Sequence, residues 1–134
     1  ASHTELKIAK DGTIRLIEIG GRMGGDCIGS DLVELSTGVD FVKAVIQIAL
    51  GERPDIQSHH DKAAAGVHYI FGEKDKVVLE KLKKENPEYL IREEMDGDET
   101  GDITDSSSRY GMFLMRAPKV ADLQVYLPTQ EEIE

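Results

Sequence analysis

Apolar and polar residues alternate over 3–9 (HTELKIA) and again over 14–19 (IRLIEI), the two-residue period of half-buried strands. Lys10-Asp11-Gly12-Thr13 lies between them. Asp-Gly flanked by alternating residues is a strong hairpin signal, so the two strands are expected to fold back antiparallel. Residues 20–30 (GGRMGGDCIGS) are glycine-dense and predict a loop or a strand-to-helix crossing. The spacing then becomes helical. Residues 31–36 predict a short helix with Ser30 as N-cap, broken by Thr37-Gly38. Asp40 is expected to cap a second helix over 41–50, where Phe41, Val42, Val45, Ile46, Ala49 and Leu50 recur on one face; Gly51 and Pro54 stop it. The polar stretch 52–62 is the best internal boundary. Beyond it the pattern predicts a strand over 64–71, an amphipathic helix over 76–84, strands over 89–92 and 111–116, and a short helix over 120–126. The acidic, Gly/Asp/Ser-rich stretch 93–108 predicts a solvated loop. No internal repeat is present at a fixed period.

The hairpin register carries the first chemistry. With Asp11-Gly12 as the two turn residues, Lys10 pairs with Thr13, Glu5 opposes Glu18, Leu6 opposes Ile17 and Thr4 opposes Ile19. One face then carries His3, Glu5, Lys7, Glu18 and Gly20, and Arg22 continues that parity. The other face, with Ile8, is apolar and expected to look into the core. Directly opposed residues have Cβ atoms about 4.5–5.5 Å apart, and like charges there repel. A divalent cation relieves this, since Mg²⁺ is usually held by one or two carboxylates plus substrate phosphates. A solvated face on which Lys7 and Arg15 soften the repulsion is the alternative, and a bulge would shift the register.

The run Gly20-Gly21-Arg22-Met23-Gly24-Gly25-Asp26 follows Glu18 closely. Its glycines permit close backbone approach to a ligand, exposed amides in such a loop can form an anion nest, and Arg22 can hold a phosphate or carboxylate bidentately. It is neither a P-loop nor the dinucleotide fingerprint. A plain tight turn stays open beside the ligand reading.

Composition narrows the classes. A net charge of −10 argues against nucleic acid or an anionic membrane as partner. No run approaches the roughly 20 apolar residues of a membrane span. Cys27 is the single cysteine, which rules out an internal disulfide framework and suits a reducing, cytoplasmic setting. The chain lacks an initiator Met and enters a strand almost at once, as expected of a fragment. His59-His60 suit a loop surface, Cys27 has no nearby base, and the acidic run 96–105 lacks the spacing of a calcium loop. Ser106-Ser107-Ser108-Arg109 read as a turn into the next strand or as a contact to substrate.

His3-Thr4-Glu5-Leu6-Lys7, the hairpin, and Leu16-Ile17-Glu18-Ile19-Gly20-Gly21-Arg22-Met23-Gly24-Gly25 together resemble the end of the ATP-grasp catalytic domain. They look most like the amino-acid ligase and carnosine-synthase branch, with biotin carboxylase and carbamoyl phosphate synthase more distant. The later stretch 35–54, with Thr37-Gly38-Val39-Asp40 and Gly51-Glu52-Arg53-Pro54, is similar too; residues beyond resemble the small lobe that follows the grasp. The resemblance implies an α/β (α+β) fold: residues 1–54 the C-terminal part of the grasp domain, an antiparallel sheet with packed helices, and 55–134 a small α+β lobe. It implies Glu5 and Glu18 as ligands of Mg²⁺ (or Mn²⁺) and Arg22 as the catalytic anion clamp. It also implies phosphate contacts at Arg22, Gly24 and Gly25, with His3 and Lys7 in support. The implied activity is ATP-dependent joining of a carboxylate and an amine through an acyl-phosphate. The implied partners are ATP, those two small molecules and a missing N-terminal part, without which the chain should be inactive; homo-oligomerisation is left open. Gly20 stands where many members carry a metal-binding Asn, which puts a second metal in doubt. A non-catalytic grasp-derived binding domain and a carboxylase or carbamoyl phosphate synthase-like enzyme are the alternatives.

Overall fold

The computed structural model describes residues 1–96 and 108–128. Most of the acidic stretch, with Ser106 and Ser107, lies outside the described residues. The elements in order are β1 (His3–Ile8), β2 (Ile14–Gly20), a π-helical turn (Ile28–Leu32), α1 (Val33–Thr37) and α2 (Phe41–Ala49). There follow β3 (Ala64–Ile70), α3 (Glu73–Glu85), a 3-10 turn (Pro87–Tyr89), β4 (Leu90–Met95), β5 (Gly111–Ala117) and α4 (Val120–Gln124). The fold is mixed α/β, with antiparallel sheets β1-β2 and β3-β5-β4. The chain forms two compact units, Ala1–Glu34 with Gly38–His60, and Leu35–Thr37 with the residues from Asp61 onward.

In the first unit the hairpin turn is one residue longer than Asp-Gly alone predicts. Gly12 N donates to Ala9 O and Ala9 N donates to Thr13 O, both at 2.9 Å, so Lys10-Asp11-Gly12 make a three-residue loop. Gly12 closes it at φ +83°, a left-handed conformation that favours glycine. Asp11 Oδ1 accepts from Thr13 N at 2.9 Å. That bond holds the Asp11 carboxyl below its usual pKa range.

The longer loop changes the register of the near half of the hairpin. Lys10 does not pair with Thr13, and Leu6 meets Leu16 instead of Ile17; Lys7 meets Arg15 and Ile8 meets Ile14. A bulge beside the Glu5/Leu6 step absorbs Ile17 as an extra residue on β2. Beyond it the expected pairs Glu5–Glu18 and Thr4–Ile19 return, followed by His3–Gly20. The bulge that could have separated the carboxylates restores their alignment.

The apolar face of this hairpin, expected to look into the core, is exposed among the described residues. Leu6 (54%), Ile8 (68%), Ile14 (61%), Leu16 (56%) and Ile19 (61%) are all more than half exposed. An isolated two-stranded hairpin lacks a second layer against which to bury such a face.

The glycine run ends in a tight coil. Asp26 (φ 50°) and Cys27 (φ 64°) are left-handed, and the π-helical turn starts from them. Ser30 is therefore inside that turn and not the cap of a helix, its hydroxyl donating to Asp31 Oδ2 at 2.5 Å. The α2 helix follows its sequence signals closely. Asp40 Oδ1 accepts from Lys43 N at 2.8 Å at its start, and Gly51 at φ +76° ends it. Gly38 is also left-handed, and a Cβ there would fall 2.5 Å from Ser58 Oγ and 2.7 Å from His60 O. The segment 58–60 can close over α2's entry only because that position has no side chain.

In the second unit β5 is the central strand. Its sequence GMFLMRA is apolar on both faces save for Arg116, as a strand flanked on both edges should be. Phe113, Met115 and Ala117 join Ile70, Leu79, Leu82, Tyr110, Leu123 and Tyr126 in one buried cluster roofed by α3 and α4. The α3 helix starts at Glu73, before the predicted 76, because Asp75 Oδ2 accepts from Phe71 N (2.9 Å) and Gly72 N (3.1 Å) and fixes an earlier N-terminus. β4 runs on to Met95, so Glu93 and Glu94 belong to a strand, not to the acidic loop. Arg116 donates to the carbonyls of Leu35 and Asp61, each at 3.0 Å, and Ala63 N donates to Ser36 O at 3.1 Å. These bonds tie Leu35–Thr37 into the second unit.

Candidate functional site

The strongest candidate is the polar face of the β1–β2 hairpin. Side chains alternate along a strand, so Glu5 and Glu18, as register partners, project from the same face. His3 and Gly20 are paired one step further along that face. On the other side of the bulge come Lys7 and Arg15, also directly opposed. A regular ladder would pair Arg15 with Ile8 on the other face; the extra residue Ile17 reverses the parity of β2 and brings Arg15 opposite Lys7, where the solvated-face alternative had placed it. The face therefore presents two acids opposed, then two bases opposed.

Neither pair is neutralised across the strands. Among the described residues, the ion pair of Glu5 is with His3 Nδ1, at 3.9 Å, and Glu18 has none. Opposed carboxylates with no Lys or Arg between them repel. Lys7 and Arg15 make the local potential less negative from the neighbouring position without an ion pair to either carboxylate. Such a pair suits a hard cation that completes its shell with phosphate and water oxygens. Among the described residues no group of three or more His, Cys, Asp or Glu side chains is placed to hold a metal unaided.

Arg22 lies beside Gly20 on the same face, at a distance that a Cβ there would meet in ordinary contact. A Cβ on Gly20 would lie 3.5 Å from Arg22 Cγ, 3.8 Å from Nε and 3.9 Å from Cζ. Gly20 shares the parity of Glu18, so the Arg22 side chain lies across the hairpin just past the carboxylates. Its Nη1 donates to Met23 O at 2.9 Å, which fixes the guanidinium against its own loop. Gly24 does serve a close approach, since a Cβ there would meet Ile28 at 2.9 Å and His3 Cδ2 at 3.0 Å. Gly25 is open around its Cα, with no heavy atom within 4 Å of where a Cβ would stand. The hairpin and the loop thus gather His3, Glu5, Lys7, Glu18, Arg22 and Gly24 into one neighbourhood.

Another polar constellation escaped the sequence reading. His68, 5% exposed, stacks on Phe113 with centroids 4.9 Å apart. Its Nδ1 donates to Tyr126 O at 2.6 Å, and its Nε2 shares a hydrogen bond of 2.9 Å with Asp75 Oδ1. The partners lie 7 and 58 residues away on other elements, so no local pattern could reveal them. With both ring nitrogens engaged and the ring buried, this group fastens β3 to the start of α3 and the end of α4. A groove of about 450 Å³ between α3 and β4 is lined by cations already held: Lys76 by Glu73 (2.6 Å), and Lys83 by Glu93 (2.7 Å) and Glu80 (3.2 Å).

No protein-family model matches the chain, and neither does any curated protein sequence. Among solved structures it is similar to the L-amino acid ligase from Bacillus licheniformis, with a TM-score of 0.66 and 25% sequence identity over 93% of the chain. The fold is ATP-grasp-like. The chain spans 33% of that ligase's length. The likeness is to the ATP-grasp type of ligase and does not single out one branch of it. His59 and His60 are exposed, and His59 lies 3.9 Å from Asp55, away from any cluster of ligating groups among the described residues. No helix among the described residues is long and apolar enough to cross a membrane.

Proposed function

We propose that this chain is the carboxyl-terminal part of an ATP- and magnesium-dependent carboxylate–amine ligase. In this reading Glu5 and Glu18 each lend oxygens to Mg²⁺ or Mn²⁺, which neutralises the charge on the ATP phosphates when bound. Arg22 holds the transferring phosphoryl group or the acyl-phosphate made from it, through paired N–H donors on a planar fork. Backbone amides at Gly24 and Gly25 face the phosphates. His3 orients Glu5, and Lys7 offsets the negative charge of the carboxylate pair. A substrate carboxylate oxygen attacks the γ-phosphorus of ATP and ADP leaves; the amine then attacks the acyl carbon, phosphate leaves, and the C–N bond of an amide or peptide is formed.

The observation that supports this reading is the Glu5–Glu18 pair, aligned by the bulge and with neither carboxylate ion-paired to a Lys or Arg among the described residues. The likeness to an L-amino acid ligase supports the same class of reaction. Mg²⁺ needs no further carboxylate, because substrate phosphates and water complete its shell. The test is Glu18→Gln in the intact gene product. Phosphate release from ATP in the presence of amino acids is expected to disappear while circular dichroism stays unchanged. Turnover at the wild-type rate would remove the proposal.

A further inference from the structure

His68 on β3 is buried between acceptors. Its Nδ1 faces the carbonyl oxygen of Tyr126, just past the end of α4, at 2.6 Å, and a carbonyl can only accept. Its Nε2 faces Asp75 Oδ1 at 2.9 Å, while Asp75 Oδ2 takes the amides of Phe71 (2.9 Å) and Gly72 (3.1 Å). A proton must lie between Nε2 and Oδ1 for that bond to form. It belongs to the imidazole, the stronger base of the two. Both contacts are therefore satisfied together only by an imidazolium, which carries N–H on both nitrogens.

The elements around the ring present Asp75 from α3, Phe113 from β5, stacked at 4.9 Å, and the Tyr126 carbonyl from the end of α4; Asp75 alone of these is charged. Lys76, next to Asp75, is held by Glu73 at 2.6 Å, and the Tyr126 hydroxyl turns to Asn86 (2.6 Å) and Glu85 (3.4 Å). A neutral imidazole has a single N–H. A bond to a charged acceptor is the stronger, so the remaining proton stays on Nε2 toward Asp75. Nδ1 then sets a lone pair against the Tyr126 oxygen, and an unpaired polar contact is costly in a buried site. We propose that His68 is a proton-dependent latch. Doubly protonated, it fastens the end of α4 to β3 and α3; when Nδ1 gives its proton to solvent, the Tyr126 carbonyl is released and the turn that ends α4 loosens. The latch lies wholly within the second unit and does not depend on the ligase reading.

The experiment is an NMR titration of the 134-residue chain between about pH 5 and pH 8, the range in which histidine side chains change charge. The ring nitrogen shifts of His68 count its protons. Amide exchange, corrected for the intrinsic effect of pH, reads protection at Tyr126 and Leu127, whose amides donate to Leu123 O and Gln124 O. At the acid end both ring nitrogens are expected to carry N–H. Protection at the two amides is expected to fall at least about tenfold as Nδ1 loses its proton, the size of one hydrogen bond in a buried site. Asp75→Asn keeps an oxygen for the amides of Phe71 and Gly72 and turns an NH₂ group toward Nε2. A neutral ring with its proton on Nδ1 then satisfies both contacts, so protection in this variant is expected to stay constant across the range. A proton count that does not change overturns the latch, as does constant protection while Nδ1 is deprotonated, or a fall that persists in Asp75→Asn. Should Asp75→Asn fail to fold, the wild-type ring shifts and protection still decide.

Discussion

At the scale of single residues, what the glycines lack matters as much as what other side chains supply. Gly24 lets Ile28 and His3 approach the loop, and Gly38 lets the segment 58–60 close over its backbone. Asp11 shows how a charged side chain sets the geometry of a turn. Its carboxylate accepts the Thr13 amide, which lowers its pKa from the ordinary value of 3.8. A carboxyl whose folded pKa is depressed contributes stability above its unfolded value, and that contribution is lost as the pH falls through the folded value. The Thr13 amide resonance is therefore expected to titrate with a midpoint below 3.8. A midpoint at or above the ordinary value would show that the bond does not form in solution.

At the scale of elements, two small irregularities decide the outcome. The three-residue loop shifts the hairpin by one position, and the bulge at Ile17 shifts it back. Alternation and the Asp-Gly signal made the hairpin itself legible, and they led to the right carboxylate pair by a register that holds only beyond the bulge. The choice between a two- and a three-residue loop turns on fractions of the turn energy that local sequence does not display. In the second unit the element that matters is the start of α3. Asp75 satisfies the amides of Phe71 and Gly72 and anchors His68. Asp75→Ala removes all these bonds and is expected to cost about 3 kcal/mol, as for a buried polar pair deprived of one partner. Urea unfolding followed through the tyrosine signal of the second unit measures it, and a loss under about 0.5 kcal/mol, the usual range of surface substitutions, would contradict the anchor.

At the scale of the whole molecule, the chain resembles a third of an L-amino acid ligase. Under the proposal it holds metal-binding glutamates but only part of a nucleotide site. The isolated chain is therefore expected to release no phosphate from ATP above the uncatalysed background, with Mg²⁺ and a mixture of amino acids present. Measurable turnover by the chain alone would contradict its reading as part of a larger active body. The stretch 97–107, expected as a solvated acidic loop, lies outside the described residues.

Sequence alone determined the order of strands and helices, the hairpin, the cap and stop of α2, and the pair of glutamates worth aligning. These follow from short-range effects: the two-residue period of strands, hydrogen bonds from Asp40, and left-handed glycine at Gly51. Tertiary structure decided the rest. Whether Arg15 joins the carboxylate face depends on where the ladder slips, whether His68 is fastened depends on Tyr126 from the far end of the chain, and whether an apolar strand face such as that of β1–β2 is buried depends on what packs against it. Long-range pairing and burial are properties of the assembled body, and no local pattern of residues specifies them.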